Sequence, residues 1–110
     1  MKQYVIDELQ PDENQKLVEY LRGQFFISGL EGIFWVFLAD DLLTDTQAAH
    51  TECGPFYMAI ELTDTAVKCE LLVRAKNRLR CDCMGYANRQ QRAWVMDQMD
   101  RMISKLAIQA

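Results

Sequence analysis

From Phe56 onward the chain alternates apolar and polar side chains with a period of two. Phe56, Met58, Ile60 and Leu62 share one phase, then Val67, Cys69, Leu71 and Val73, then Leu79, Cys81, Cys83 and Gly85. Successive side chains of a strand point to opposite sides of a sheet, so each run predicts a half-buried strand, and the short turns between them predict antiparallel pairing. Cross-strand neighbours must share a face. A turn over Thr63 to Ala66 therefore pairs Leu62 with Val67, and a turn over Ala75 to Asn77 pairs Val73 with Leu79. On this register Ile60, Cys69 and Cys83 form one row and Met58, Leu71 and Cys81 the next, which gathers three thiols on the core face.

A fourth strand is predicted at Ile33 to Leu38, aromatic and β-branched and apolar on both phases, as expected of a strand buried on both sides. Tyr4 to Leu9 reads as a short strand or an arm. Pro11 suits the first turn of a helix with Asp12 and Glu13 near its positive end, an apolar side of Leu17, Val18 and Leu21, and a stop near Gly23. Thr44 and Gln47 have the spacing of a reciprocal helix cap, which predicts a short helix through about His50. Asn88 is a good N-cap for a last helix whose stripe is Val95, Met99, Met102, Ile103 and Leu106. The expected fold is a single α+β domain spanning residues 1–110, a two-layer sandwich in which a four-stranded antiparallel meander is backed by the N-terminal and C-terminal helices.

Charge separates along the chain. Residues 1–65 carry three basic side chains against twelve acidic ones, a formal −9, while residues 66–110 carry nine against four, a formal +5. The net −4 argues against nucleic acid as a partner, because phosphates demand a positive surface. Arg74, Lys76, Arg78, Arg80, Arg89 and Arg92 face only Asp82 in their stretch, a basic concentration suited to an opposite-charge docking surface. The longest wholly apolar run, Ile33 to Ala39, is seven residues against the ~20 of a membrane span. The first ten residues lack the basic start and apolar centre of an export signal, so a cytoplasmic protein with free thiols is expected.

Two chemistries can be read from the polar residues. His50-x-x-Cys53 together with Cys81-x-Cys83 supplies four nitrogen and sulfur donors of the kind tetrahedral zinc takes. The competing reading is that Cys-x-Cys within an alternating strand is a pair of inward-facing core residues. Cys53, in a loop three residues after the sole histidine, is the best nucleophile on offer and the cysteine expected to be most exposed. Cys53-Gly54-Pro55 resembles the thioredoxin redox loop over those three residues, with Phe56 where the second cysteine of that motif stands. Asp40, Asp41, Asp45 and Glu52 match no calcium or magnesium loop. No nucleotide-binding glycine motif or hydrolase signature is present, so the sequence names no catalytic residues.

The outward phases of the strands place Tyr57, Leu72, Met84 and Tyr86 among Arg74, Arg80 and other charges, and one face of the Phe34-to-Leu38 strand joins them, a mixed surface suited to association with protein. The sequence thus favours a non-enzymatic interaction module, adaptor-like or chaperone-like, without a cofactor. It is expected to bind a protein partner, a second copy of itself foremost, through Tyr57, Leu72, Arg74, Arg80, Met84 and Tyr86. The alternative is a zinc-binding or thiol-redox protein using His50, Cys53, Cys81 and Cys83.

Overall fold

The computed structural model describes residues 2–109, and these form an α+β fold around one antiparallel sheet. Its strands are β1 (Gln3–Ile6), β2 (Phe26–Ile27), β3 (Ile33–Phe37), β4 (Phe56–Leu62), β5 (Val67–Glu70), β6 (Leu72–Ala75) and β7 (Gly85–Tyr86). The helices are α1 (Pro11–Gln24), α2 (Asp45–Ala49) and α3 (Arg89–Lys105), with one 3-10 turn at Asp40–Leu42. The strands lie in the order β1-β5-β4-β3-β2, and β6 pairs with β4 and β7 off that path. The expected four-stranded meander is thereby replaced by a seven-stranded sheet.

The helix ends follow from local chemistry. Pro11 opens α1, and the backbone N–H of Gln10 donates to the Glu13 carboxylate, which also accepts from Gln109 N–H. Thr44 and Gln47 close the reciprocal cap at α2, and Asn88 and Gln91 close another at α3. Leu17 and Leu21 of α1 and Val95, Met99 and Met102 of α3 are buried in one cluster with Met58, Ile60, Val67, Cys69 and Val73 of the sheet. Burying five such side chains stabilises the fold by about 1.5–3 kcal/mol each before chain entropy is counted.

Between β5 and β6 the ladder slips. Ile60 pairs with Cys69, but Tyr57 pairs with Arg74, so β5 and β6 carry two more residues than β4 over the same span. An insertion of two leaves the alternation intact, and Val67, Cys69, Leu71, Val73 and Ala75 all remain buried. The break also frees Leu71, whose N–H donates to Lys2 C=O and whose carbonyl accepts from Ala87 N–H. Leu62 does pair with Val67 and Ile60 with Cys69, as expected. The Val73–Leu79 pairing does not form.

The segment expected as a strand over Leu79 to Gly85 is irregular until Gly85. Lys76 to Arg80 are exposed, and their cations are better solvated than laid along a sheet. Leu79 is 98 % exposed and contributes nothing to the core. The predicted row of thiols across the sheet is therefore absent: Cys69 alone stays in β5, while Cys81 and Cys83 turn elsewhere. β3 also departs from expectation, since Phe34 and Val36 are buried but Ile33, Trp35 and Phe37 are half-buried on the opposite face. No helix among the described residues is long and apolar enough to cross a membrane.

Candidate metal centre

A histidine and three cysteines meet where α2 ends. His50 is the C-cap of α2, and the turn that follows returns Cys53 to the same point through a hydrogen bond from Cys53 N–H to His50 C=O of 3.0 Å. The x-x spacing thus arises from a single turn. The irregular segment after β6 brings Cys81 and Cys83 opposite, held by Met84 N–H donating to Cys81 C=O at 3.0 Å. The two loops are stitched independently: Asn77 N–H donates to Cys53 C=O at 3.1 Å, Lys76 N–H to Pro55 C=O at 3.0 Å, and the Asn77 side chain to Gly54 C=O.

The donor atoms of His50, Cys53, Cys81 and Cys83 all lie within 4.8 Å of one another. His50 Nδ1 is 3.0 Å from Cys81 Sγ, and Cys53 Sγ is 3.7 Å from Cys81 Sγ. Tetrahedral zinc with Zn–S of about 2.3 Å and Zn–N of about 2.0 Å separates two sulfurs by about 3.8 Å and sulfur from nitrogen by about 3.5 Å. The sulfur pair already has that spacing. The imidazole needs to move by about half an ångström.

Burial and protonation divide the thiols. Cys53 is 2 % exposed and Cys83 3 %, so the loop position expected to be the accessible one is enclosed. Cys81 is half-buried. Burial pushes the Cys83 thiol up to about 12 and raises Cys53, whereas the backbone N–H of Cys83, aimed at the Cys81 sulfur, lowers Cys81 to about 7. Cys69, 0 % exposed in the core and raised to about 12 by burial, belongs to no such group.

Two glutamines tie this centre to the helices, and nothing in the sequence reading singled out their meeting. Gln47 Nε2 donates to Cys83 C=O at 3.1 Å, and Gln91 Nε2 donates to Gln47 Oε1 at 3.0 Å and to Leu42 C=O at 2.8 Å. Both residues are at the same time the third-position partners of the caps on α2 and α3. One buried polar chain therefore fixes the carbonyl of a cysteine relative to two helix starts. The spacing Asn88-x-x-Gln91 was a legible cap; its junction with Gln47 is a tertiary fact.

The residues expected to form an interaction surface fall into two groups, four on the sheet ladder and two in the segment that carries the cysteines, where Arg80 precedes Cys81 and Met84 follows Cys83. Tyr57 and Arg74 are cross-strand partners. Leu72 is half-buried and pairs with exposed Tyr86, Met84 packs partly against the core, and Arg80 stands in the exposed loop. One face of the Phe34-to-Leu38 run is expected to join Tyr57, and Trp35 and Phe37 do; Phe26 of β2 is not foreseen. Trp35 stacks on Tyr57 with centroids 4.0 Å apart and planes at 15°, and Phe26 stacks on Trp35 at 5.2 Å and 23°. Phe37 meets Tyr57 edge-on, and Lys76 Nζ lies 5.1 Å from the centroid of the Phe26 ring. Phe26 gave no advance signal because a strand of two residues shows no period of its own.

Comparison with known protein families, characterised proteins and solved structures returns no match.

Proposed function

We propose that this chain is a small zinc-binding domain in which His50, Cys53, Cys81 and Cys83 hold one structural metal ion. The observation that carries the reading is the convergence of all four donor atoms within 4.8 Å, with a sulfur pair at zinc spacing. Three thiolates and an imidazole suit Zn²⁺, and four protein ligands leave no open position for a substrate, so the ion acts as a staple. It joins the turn after α2 to a segment that has no strand or helix of its own to hold it. The metal replaces secondary structure there. Such a site requires a reducing compartment, in keeping with cytoplasmic residence.

Metal content of the purified protein tests this. One zinc per chain is expected by plasma mass spectrometry after exhaustive desalting, reduced to background in Cys83→Ser and retained in Cys69→Ser. A wild-type protein that carries no zinc after refolding with an equivalent of it sinks the reading.

A second reading, compatible with the first, is that the domain binds protein through its helix-free sheet face. The stack of Phe26, Trp35 and Tyr57 favours it, because rings beside Lys76 and the Arg74–Glu70 ion pair offer apolar area with a charged rim. Trp35 is stacked by both Phe26 and Tyr57 and Lys76 lies over Phe26, which leaves little free ring face for a nucleobase. A second copy of the chain is the partner we infer, with Trp35 and Tyr57 at the centre.

A further inference from the structure

We propose that Cys81 is an oxidation site for hydroperoxides and that Cys53 resolves it, so that a Cys53–Cys81 disulfide forms and the metal leaves. The inference deepens the zinc reading by naming a reagent and a consequence for the same centre. Three observations support it. Among the three clustered cysteines Cys53 and Cys83 are enclosed and Cys81 is half-buried, in a segment where Arg78, Leu79, Arg80 and Asp82 are all exposed, so Cys81 is the thiol most open to an oxidant from solvent. Cys53 Sγ stands 3.7 Å away, and closing to the ~2.05 Å of a disulfide asks for a movement of less than about 2 Å. Cys83 is the poorer resolver. Its carbonyl is pinned by Gln47, and a bond to Cys81 across one intervening residue closes a small strained ring.

The chemistry balances as follows. The Cys81 thiolate sulfur attacks the distal oxygen of the hydroperoxide; the S–O bond forms, the O–O bond breaks, and the alkoxide or hydroxide leaving group takes a proton. The product is Cys81 sulfenic acid. Cys53 sulfur then attacks the Cys81 sulfur, the S–S bond forms, the S–OH bond breaks, and hydroxide leaves as water with the proton that Cys53 gives up. Two thiols are oxidised by two electrons and one hydroperoxide is reduced to alcohol, or to water from hydrogen peroxide. His50 and Cys83 remain as only two ligands, too few to retain zinc. Cys69, fully enclosed in the sheet, takes no part.

The test treats zinc-loaded and zinc-free protein with hydrogen peroxide, follows free zinc with a chromogenic chelator, and maps disulfides by mass spectrometry after alkylation. The expected result is one zinc released per Cys53–Cys81 disulfide, and the same disulfide in the zinc-free sample. Cys53→Ser should stop at a sulfenic acid on Cys81 that dimedone traps, provided circular dichroism shows the variant folded. A first product that links Cys83, or a sulfonic acid at Cys81 without any disulfide, overturns the proposal. The outcomes also separate the two readings. Zinc bound with the wrong disulfide removes this inference alone, whereas no zinc but a Cys53–Cys81 bond removes the staple and the metal release that depends on it and upholds the oxidation site.

Discussion

Replacing Gln91 by Ala tests whether the two joined helix caps stabilise the fold as a unit. Gln91 is 1 % exposed, so no water stands by to replace what its side chain provides. The substitution leaves Leu42 C=O without its 2.8 Å donor, removes the 3.0 Å bond to Gln47, and takes away the acceptor that Asn88 N–H uses at 3.1 Å. Leaving one enclosed carbonyl unpaired costs about 1–3 kcal/mol. Loss of the reciprocal half of a cap adds about 0.5–1 kcal/mol. The hydrogen bond from Gln47 to Cys83 survives, so the total expected is about 1.5–4 kcal/mol. For a chain of 110 residues that lowers the melting midpoint by roughly 10–20 °C. Thermal unfolding by circular dichroism in excess zinc measures it, with exposed Gln90→Ala as a control that should shift by no more than ~0.5 kcal/mol. A Gln91→Ala midpoint matching that of Gln90→Ala would refute the account of a shared polar junction.

Zinc uptake should be strongly pH-dependent, because the ligands must be thiolates while burial keeps protons on Cys53 and Cys83 and only Cys81 sits near 7. Binding therefore releases roughly two to three protons near neutrality, and apparent affinity falls by roughly a hundredfold to a thousandfold per pH unit on acidification; a chelator competition giving the same affinity at about pH 6 and pH 8 contradicts the assigned ligands. On the sheet face, Phe26→Asp should abolish self-association while leaving the circular dichroism spectrum unchanged, and Leu79→Asp, outside the aromatic stack, should not. A wild-type protein that sediments as a monomer at about 50 μM, where a micromolar interface is mostly assembled, removes the dimer reading.

What could be read in advance was local. Pro11, Thr44 and Asn88 act on backbone groups within one turn, so α1, α2 and α3 begin where the sequence places them. The Leu62–Val67 pairing likewise follows from a short turn. The slip at Leu71 was invisible for a definite reason: two inserted residues restore side-chain parity, and a period-two pattern cannot register a change that preserves parity. Cys81-x-Cys83 misled through the same periodicity, since two ligands aimed at one point and two inward residues of a strand have the same spacing. The contrary signal lay in Lys76 to Arg80, five consecutive residues that all remain in solvent. β1, foreseen only as a strand or an arm, is set by a distant partner, β5, and β2 is two residues long, so neither run carries much pattern of its own.

The outer strands of the sheet are brief, with four residues in β1 and two each in β2 and β7. A strand of two residues offers too few free N–H and C=O groups to template another chain, and β1, at four, offers little more, so edge-to-edge growth toward fibrils is disfavoured even though Phe26 and Ile27 are apolar and exposed. Recognition that uses this sheet must then be written in side chains rather than in backbone ladders. Side-chain recognition depends on identity at each position, so the brevity of the rim makes the molecule resistant to indiscriminate aggregation while leaving a discriminating encounter open.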